Sequence, residues 1–135
     1  LNKIHKKILK LNGCILLIDY GYLKARNQNT LQSVMKHKKN DLLNNLGKAD
    51  VTSHVNFNLL KEFFQKSGLN VKKIISQKIF LKKMGIDERA EIVAKKMSFR
   101  EKANLYLRLK RLLSPALMGT LFKVFLAYKL DNSNH

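Results

Sequence analysis

A chain of 135 residues is the size of one domain, and its 45% hydrophobic content suits a packed core rather than a disordered tail. The net charge of +18, with a pI near 10.2, turns it toward anionic partners: nucleic acid, anionic lipid or acidic protein. Cys14 is the single cysteine, which excludes an internal disulfide and argues against a thiolate metal site, and no apolar run reaches the ~18 residues of a membrane helix.

The first residues, Leu1 to Lys7, carry no initiator methionine and lead into no apolar signal segment, so the chain reads as a fragment of a longer protein from a reducing compartment. Lys3 to Leu11 set Ile4, Ile8 and Leu11 at helical spacing with lysines opposite, the end of an amphipathic helix. Asn12-Gly13 is expected to terminate it, with Gly13 in a left-handed conformation. The apolar run that follows, Cys14 to Asp19, lacks alternation and reads as a strand covered on both faces, as in a parallel α/β sheet. Such sheets bind ligands beyond the carboxyl ends of their strands, where Asp19 falls, and Gly21 is expected to turn the backbone sharply there.

From Leu23 to Val55 periodicity fades, and the segment reads as a long polar connection, either a surface loop or a functional one. It is dense in side chains able to do chemistry: Gln32, His37, Asp41, Asp50, Thr52 and His54. Asn56 is placed to cap a helix from Phe57 to about Lys66, with Phe57, Leu60, Phe63 and Phe64 inward and Ser67-Gly68 at its end. Val71 to Leu81 has β propensity and is expected as a strand closed by Met84-Gly85. Two helices follow. Asp87 is the expected cap of the first, which turns Ala90, Val93, Ala94 and Met97 inward. Ser98 and Glu101 form a capping box for the second, which carries Leu105, Leu109, Leu112 and Leu113 and stops before Pro115. Leu121 to Tyr128 reads as a final strand and Asp131–His135 as a frayed tail.

Phosphate-loop, nucleophile-elbow and H-E-x-x-H zinc patterns are missing, as is a glycine-rich cofactor loop. Lysine far outnumbers arginine and the charges are spread along the chain, whereas phosphate-reading surfaces favour the arginine fork, so nucleic acid is the weaker reading of the charge.

One ordered set of motifs is more specific. Gly13-Cys14-Ile15-Leu16-Leu17-Ile18-Asp19-Tyr20-Gly21-Tyr22 is followed by Thr30-Leu31-Gln32-Ser33-Val34, His37-Lys38 and Gly47 through Phe57. Then come Gln77, Phe80-Leu81, Met84-Gly85-Ile86, Met118-Gly119 and Phe122-Lys123-Val124. Over nearly its whole length the chain resembles the carboxy-terminal part of the MidA-like S-adenosylmethionine-dependent methyltransferases. Mitochondrial members of that family are complex I assembly factors that methylate a protein arginine. Asn56 stands where the family usually has Asp.

The resemblance implies an α/β chain forming the C-terminal part of a Rossmann-like class I methyltransferase fold. It implies a mixed sheet with an antiparallel edge pair and a helical insertion, with residues 1–135 as a portion of one domain whose cofactor-binding half is absent. Cys14–Asp19 would be the fifth strand, Val71–Leu81 the sixth and Leu121–Tyr128 the seventh. S-adenosylmethionine would be the cofactor, held mostly outside this chain. The protein substrate would be a respiratory complex I subunit, and the location cytoplasmic in a bacterium or the mitochondrial matrix in a eukaryote. A protonated guanidine acceptor needs carboxylates to orient it and to help remove its proton, and Asp19 and Asp50 are the candidates. Tyr20, Gln32, His37, Thr52 and His54 are the candidate substrate-binding residues. Without its neighbouring strands the chain would bind no cofactor and would self-associate. Two other readings stay open: a basic nucleic-acid-binding module, and a non-catalytic interaction protein.

Overall fold

The computed structural model describes residues 1–24 and 29–129. The expected tail, Asp131–His135, lies outside the described residues. Helix α1 (Asn2–Lys10) buries Ile8 and leads through Asn12 into strand β1 (Cys14–Tyr22). The left-handed residue at that turn is Asn12, at φ 49°, rather than Gly13. An asparagine tolerates this conformation because its short polar side chain bonds locally.

Between β1 and the next long helix the expected polar connection is a small antiparallel sheet. Its strands are β2 (Gln32–Met35), β3 (Lys38–Asn40) and β4 (Asp50–Thr52), in the order β3-β2-β4. Lys36 and His37 both have positive φ and make the two-residue turn between β2 and β3. Asn40 fastens the segment after β3. Its Nδ2 donates to the Ser33 hydroxyl at 3.0 Å and to the Asp41 and Asn44 carbonyls at 2.8 Å each. Strands this short and polar carry little hydrophobic alternation, so their pattern is invisible in sequence.

Strand β5 (Val55–Asn56) leads directly into helix α2 (Phe57–Lys66), where Asn56 caps as expected: its Oδ1 accepts the Leu59 N–H at 3.2 Å. Phe57 and Phe64 are fully buried, and Gly68, at φ 81°, follows the helix end. The expected strand Val71–Leu81 is instead two short pieces, β6 (Asn70–Val71) and β7 (Ile75–Ser76), followed by helix α3 (Gln77–Lys83). The Ser76 side chain caps that helix, accepting the Ile79 N–H at 3.4 Å, and buried Gln77 donates from Nε2 to the Leu112 carbonyl at 3.0 Å. Capping and packing thus override the β propensity of Ile79 and Phe80.

Helix α4 (Ile86–Ala94) starts from Gly85, which is left-handed, so Asp87 is a first-turn residue rather than the cap. Its carboxylate pairs with Lys82 Nζ at 2.8 Å and raises the Lys82 pKa through that bond and its charge. Helix α5 (Phe99–Leu113) opens on the complete Ser98–Glu101 capping box and stops at Ser114, as read. The short helix α6 (Met118–Leu121) then feeds strand β8 (Phe122–Tyr128).

The main sheet runs β5-β1-β8-β6, with β7 also on β8. β8 lies antiparallel to β1 over its length, from Cys14 opposite Tyr128 to Tyr20 opposite Phe122, and antiparallel to β6 and β7 on its other side. That is the expected mixed sheet with its antiparallel edge, the last strand sitting between the first strand and the two short pieces. The core fills one face: Ile8, Phe57, Phe64, Leu69, Phe125 and Ala127, with Ile15 and Leu17 packed against them. The other face of β1 is not covered as expected. Cys14 is exposed there, with Leu16 at 48% and Ile18 at 44%. Among the described residues β1 is flanked on its second edge only by β5, at Gly21 and Tyr22.

Candidate functional site

The carboxyl end of β1 is where the sequence places its chemistry. Gly21 does not turn the chain there; β1 runs on through it to Tyr22. A glycine is required because β5 passes so close that an added Cβ would meet the Val55 carbonyl oxygen at 2.2 Å and the Phe57 ring at 2.8 Å. This contact sets β5, and the residue before it, His54, against the end of β1.

The His54 ring meets the Tyr20 ring edge-on, with centroids 5.5 Å apart, and Tyr20 meets Phe122 likewise at 5.6 Å. Edge-to-face rings at such distances attract through their quadrupoles, which fixes all three orientations. The His54 backbone N–H donates to the Thr30 hydroxyl at 3.2 Å, tying the end of the small sheet to its beginning. Beside these rings is a cavity of about 320 Å³ lined by Gly21, His54, Pro115, Thr120 and Lys123, among others. Thr120 Oγ1 donates to the Pro115 carbonyl at 2.8 Å, and Lys123 Nζ donates to the Thr120 and Leu121 carbonyls, so this wall is internally bonded.

Asp19 precedes Tyr20 and, by strand alternation, turns to the opposite face, the one shared by Ile15 and Leu17. Its carboxylate accepts the Tyr20 backbone N–H at 2.8 Å, and its partner across the pairing is Lys123. A second group of candidates sits on the small sheet. Gln32 is opposite Thr52, with Nε2 donating to Oγ1 at 3.2 Å, and Asp50 shares the Thr52 face two residues earlier, exposed. His37 belongs to neither group; it is exposed at the tip of the β2–β3 turn. The structure therefore brings Tyr20 and His54 together on one face of a strand end, leaves Asp19 on the other face of that end, and sets Gln32, Asp50 and Thr52 on a second sheet. Sequence reasoning missed Pro115, Thr120 and Lys123 as cavity residues. Only the pairing of β8 with β1, which joins distant segments, brings them there.

No group of three metal-ligating side chains forms among the described residues. Nor do those residues fit a cofactor cradle. Among them no glycine-rich turn joins a strand to a helix. No helix among the described residues is long and apolar enough to cross a membrane.

Residues 1–75 match the model of an S-adenosyl-L-methionine-dependent methyltransferase family. The mitochondrial protein arginine methyltransferase NDUFAF7 of Xenopus tropicalis is 33% identical over 98 residues, which is 73% of this chain and 22% of the relative. The human protein of the same name is 29% identical over 126 residues, 93% of this chain and 28% of the relative. The chain thus spans under a third of the length of these curated relatives. Among solved structures, an uncharacterised protein from Burkholderia thailandensis superposes at a TM-score of 0.80 with 27% identity, over 87% of this chain and 33% of that one. A member of the same superfamily from that bacterium, bound to S-adenosyl-homocysteine, gives 0.74 at 26% identity, over 95% of this chain and 36% of that one.

Proposed function

This chain belongs to the S-adenosyl-L-methionine-dependent methyltransferase family, and from that premise we propose that it is the acceptor-side portion of a protein arginine methyltransferase. S-adenosylmethionine is the cofactor of the family. The observation that carries the reading is the edge contact of Tyr20 with His54, which sets two candidates from distant segments beside one cavity at a strand end.

Methyl transfer from a sulfonium is an in-line displacement, so the protein's main task is to hold donor and acceptor in line. In this reading Asp19 and Asp50 orient a guanidinium and take up its proton, while Tyr20, Gln32, Thr52 and His54 position the peptide around it; His37, at the exposed tip of the β2–β3 turn, takes no part. The cofactor is held by a further portion that joins at the open edge of β1, so residues 1–135 by themselves neither bind it nor transfer a methyl group. The relatives are named as mitochondrial; in this reading a eukaryotic form works in the mitochondrial matrix, a bacterial one in the cytoplasm, and a respiratory complex I subunit is the proposed substrate.

The test is methyl transfer from radiolabelled S-adenosylmethionine to arginine-containing peptides by the intact protein that carries this chain. Transfer to arginine that is lost in His54→Ala supports the reading. Transfer to lysine, or activity indifferent to Asp19 and His54, overturns it.

A further inference from the structure

Helix α5 is anchored by its capping box, yet none of its residues is buried. Leu105, Leu109, Leu112 and Leu113 turn toward the protein and are half-covered. On the other side Phe99, Ala103 and Leu107 follow one another at four-residue intervals and form a second apolar stripe, facing outward. Phe99 is 89% exposed and Leu107 64%. Arg100, Lys110 and Arg111 flank that stripe and are exposed too.

The cations here differ in kind from those elsewhere. Lysine dominates the chain, but three of its five arginines, Arg100, Arg108 and Arg111, stand in this one helix. Arginine beside an exposed aromatic is the composition of binding hot spots, and the guanidinium fork fits carboxylates bidentately where lysine offers only a point charge.

We propose that the outer face of α5 is a docking surface for an acidic protein partner, one that receives Phe99 and Leu107 in an apolar groove edged by Asp or Glu. The two anchors lie about 12 Å apart along the helix axis, a spacing set by eight residues at the helical rise. Two apolar side chains are too few to hold a protein in a lipid interface, which takes a continuous apolar face. Leucine gives a nucleic-acid base nothing to stack on, and the helix's other exposed ring, Tyr106, lines the cleft toward α4 with Leu109 and Leu113, so Phe99 makes a poor platform for a strand.

The experiment titrates the intact protein that carries this chain against a fluorescent peptide that presents glutamates around a Leu-Phe centre. The same protein is titrated against vesicles containing anionic lipid and against oligouridine. Because the whole chain is strongly basic, the charge reversal R100E/R111E is compared with K38E/K39E, which changes the charge equally on the distant β2–β3 hairpin. The surface assignment predicts that R100E/R111E and Phe99→Ala each weaken the peptide by about tenfold or more, the size of a hot-spot loss, while K38E/K39E shifts it far less. Equal losses from both charge reversals, or no effect of Phe99→Ala, overturn it. So does a preference for vesicles or oligouridine that depends on Phe99. All the altered side chains are exposed, so the fold is kept and is verified by circular dichroism.

Discussion

Asp19 and Lys123 stand directly opposite one another across the antiparallel pairing of β1 with β8. The carboxylate also accepts the Tyr20 N–H, and the ammonium is tied to carbonyls of α6. A carboxylate and an ammonium thus stand opposite one another at the end of the central strand, and the ammonium's residue, Lys123, lines the cavity that His54 also lines. Replacing Asp19 by Asn keeps an oxygen for the Tyr20 N–H and removes only the charge. In the intact protein Asp19→Asn is expected to lower kcat by roughly 10²-fold or more, the usual span for a group that takes up a proton. An unchanged kcat in steady-state methyl-transfer assays would remove Asp19 from the mechanism.

Gly21 is a packing requirement rather than a hinge. A Cβ there meets the Val55 carbonyl at 2.2 Å, backbone against backbone, so the strands must separate to admit it. Gly21→Ala is expected to destabilise the chain by about 1–3 kcal/mol, the usual cost of overpacking. Urea denaturation followed by circular dichroism reads the change directly.

The capping box gives α5 a pH dependence of known sign. Hydrogen bonds from the Ser98 hydroxyl and the Ser98 N–H hold the Glu101 carboxyl below its ordinary range. A carboxyl lowered in the folded state binds fewer protons there than in the unfolded chain. Its contribution is therefore complete above the ordinary glutamate value and fades as the pH falls through the lowered one. Thermal melts should lose stability below roughly pH 4–5, and Glu101→Gln should lose part of that slope. A slope identical in the variant would show that the box carries none of the acid sensitivity.

Cys14 offers a probe of the open sheet face. It is exposed in this chain, beside Leu16 and Ile18. A maleimide is expected to label it readily here and slowly in the intact protein, where the proposed cofactor-binding portion covers that face. Equal labelling rates would place the remaining portion elsewhere.

The sequence was most legible where helix signals are local and redundant. Asn56 and Ser98 cap as their side chains require, and Ser67-Gly68 and Pro115 mark true ends. Substituting Asn56 by Ala should accordingly cost about 1 kcal/mol in the same urea experiment. Strands fared worse wherever the hydrophobic pattern was short. β2, β3 and β4 have too few residues to alternate visibly, and Ile79-Phe80 reads as strand until Ser76 and the Gln77–Leu112 contact are known. The apolar run of β1 was read correctly as a strand, but its evenness concealed that one face lies open. Of the candidate site, the end of β1 was legible because Asp19 and Tyr20 follow an apolar run. The cavity wall of Pro115, Thr120 and Lys123 was not, since only a pairing that spans about a hundred residues brings it there.

That long-range pairing governs how the chain folds. Phe125 and Ala127 complete the core from β8, and Ile8 and Phe57, far earlier in the chain, depend on them. A chain cut before Phe122 leaves that core unclosed, and limited proteolysis should digest it faster than the same chain carried through Tyr128. Contacts so far apart in sequence form slowly, because the loop between them must close before they contribute.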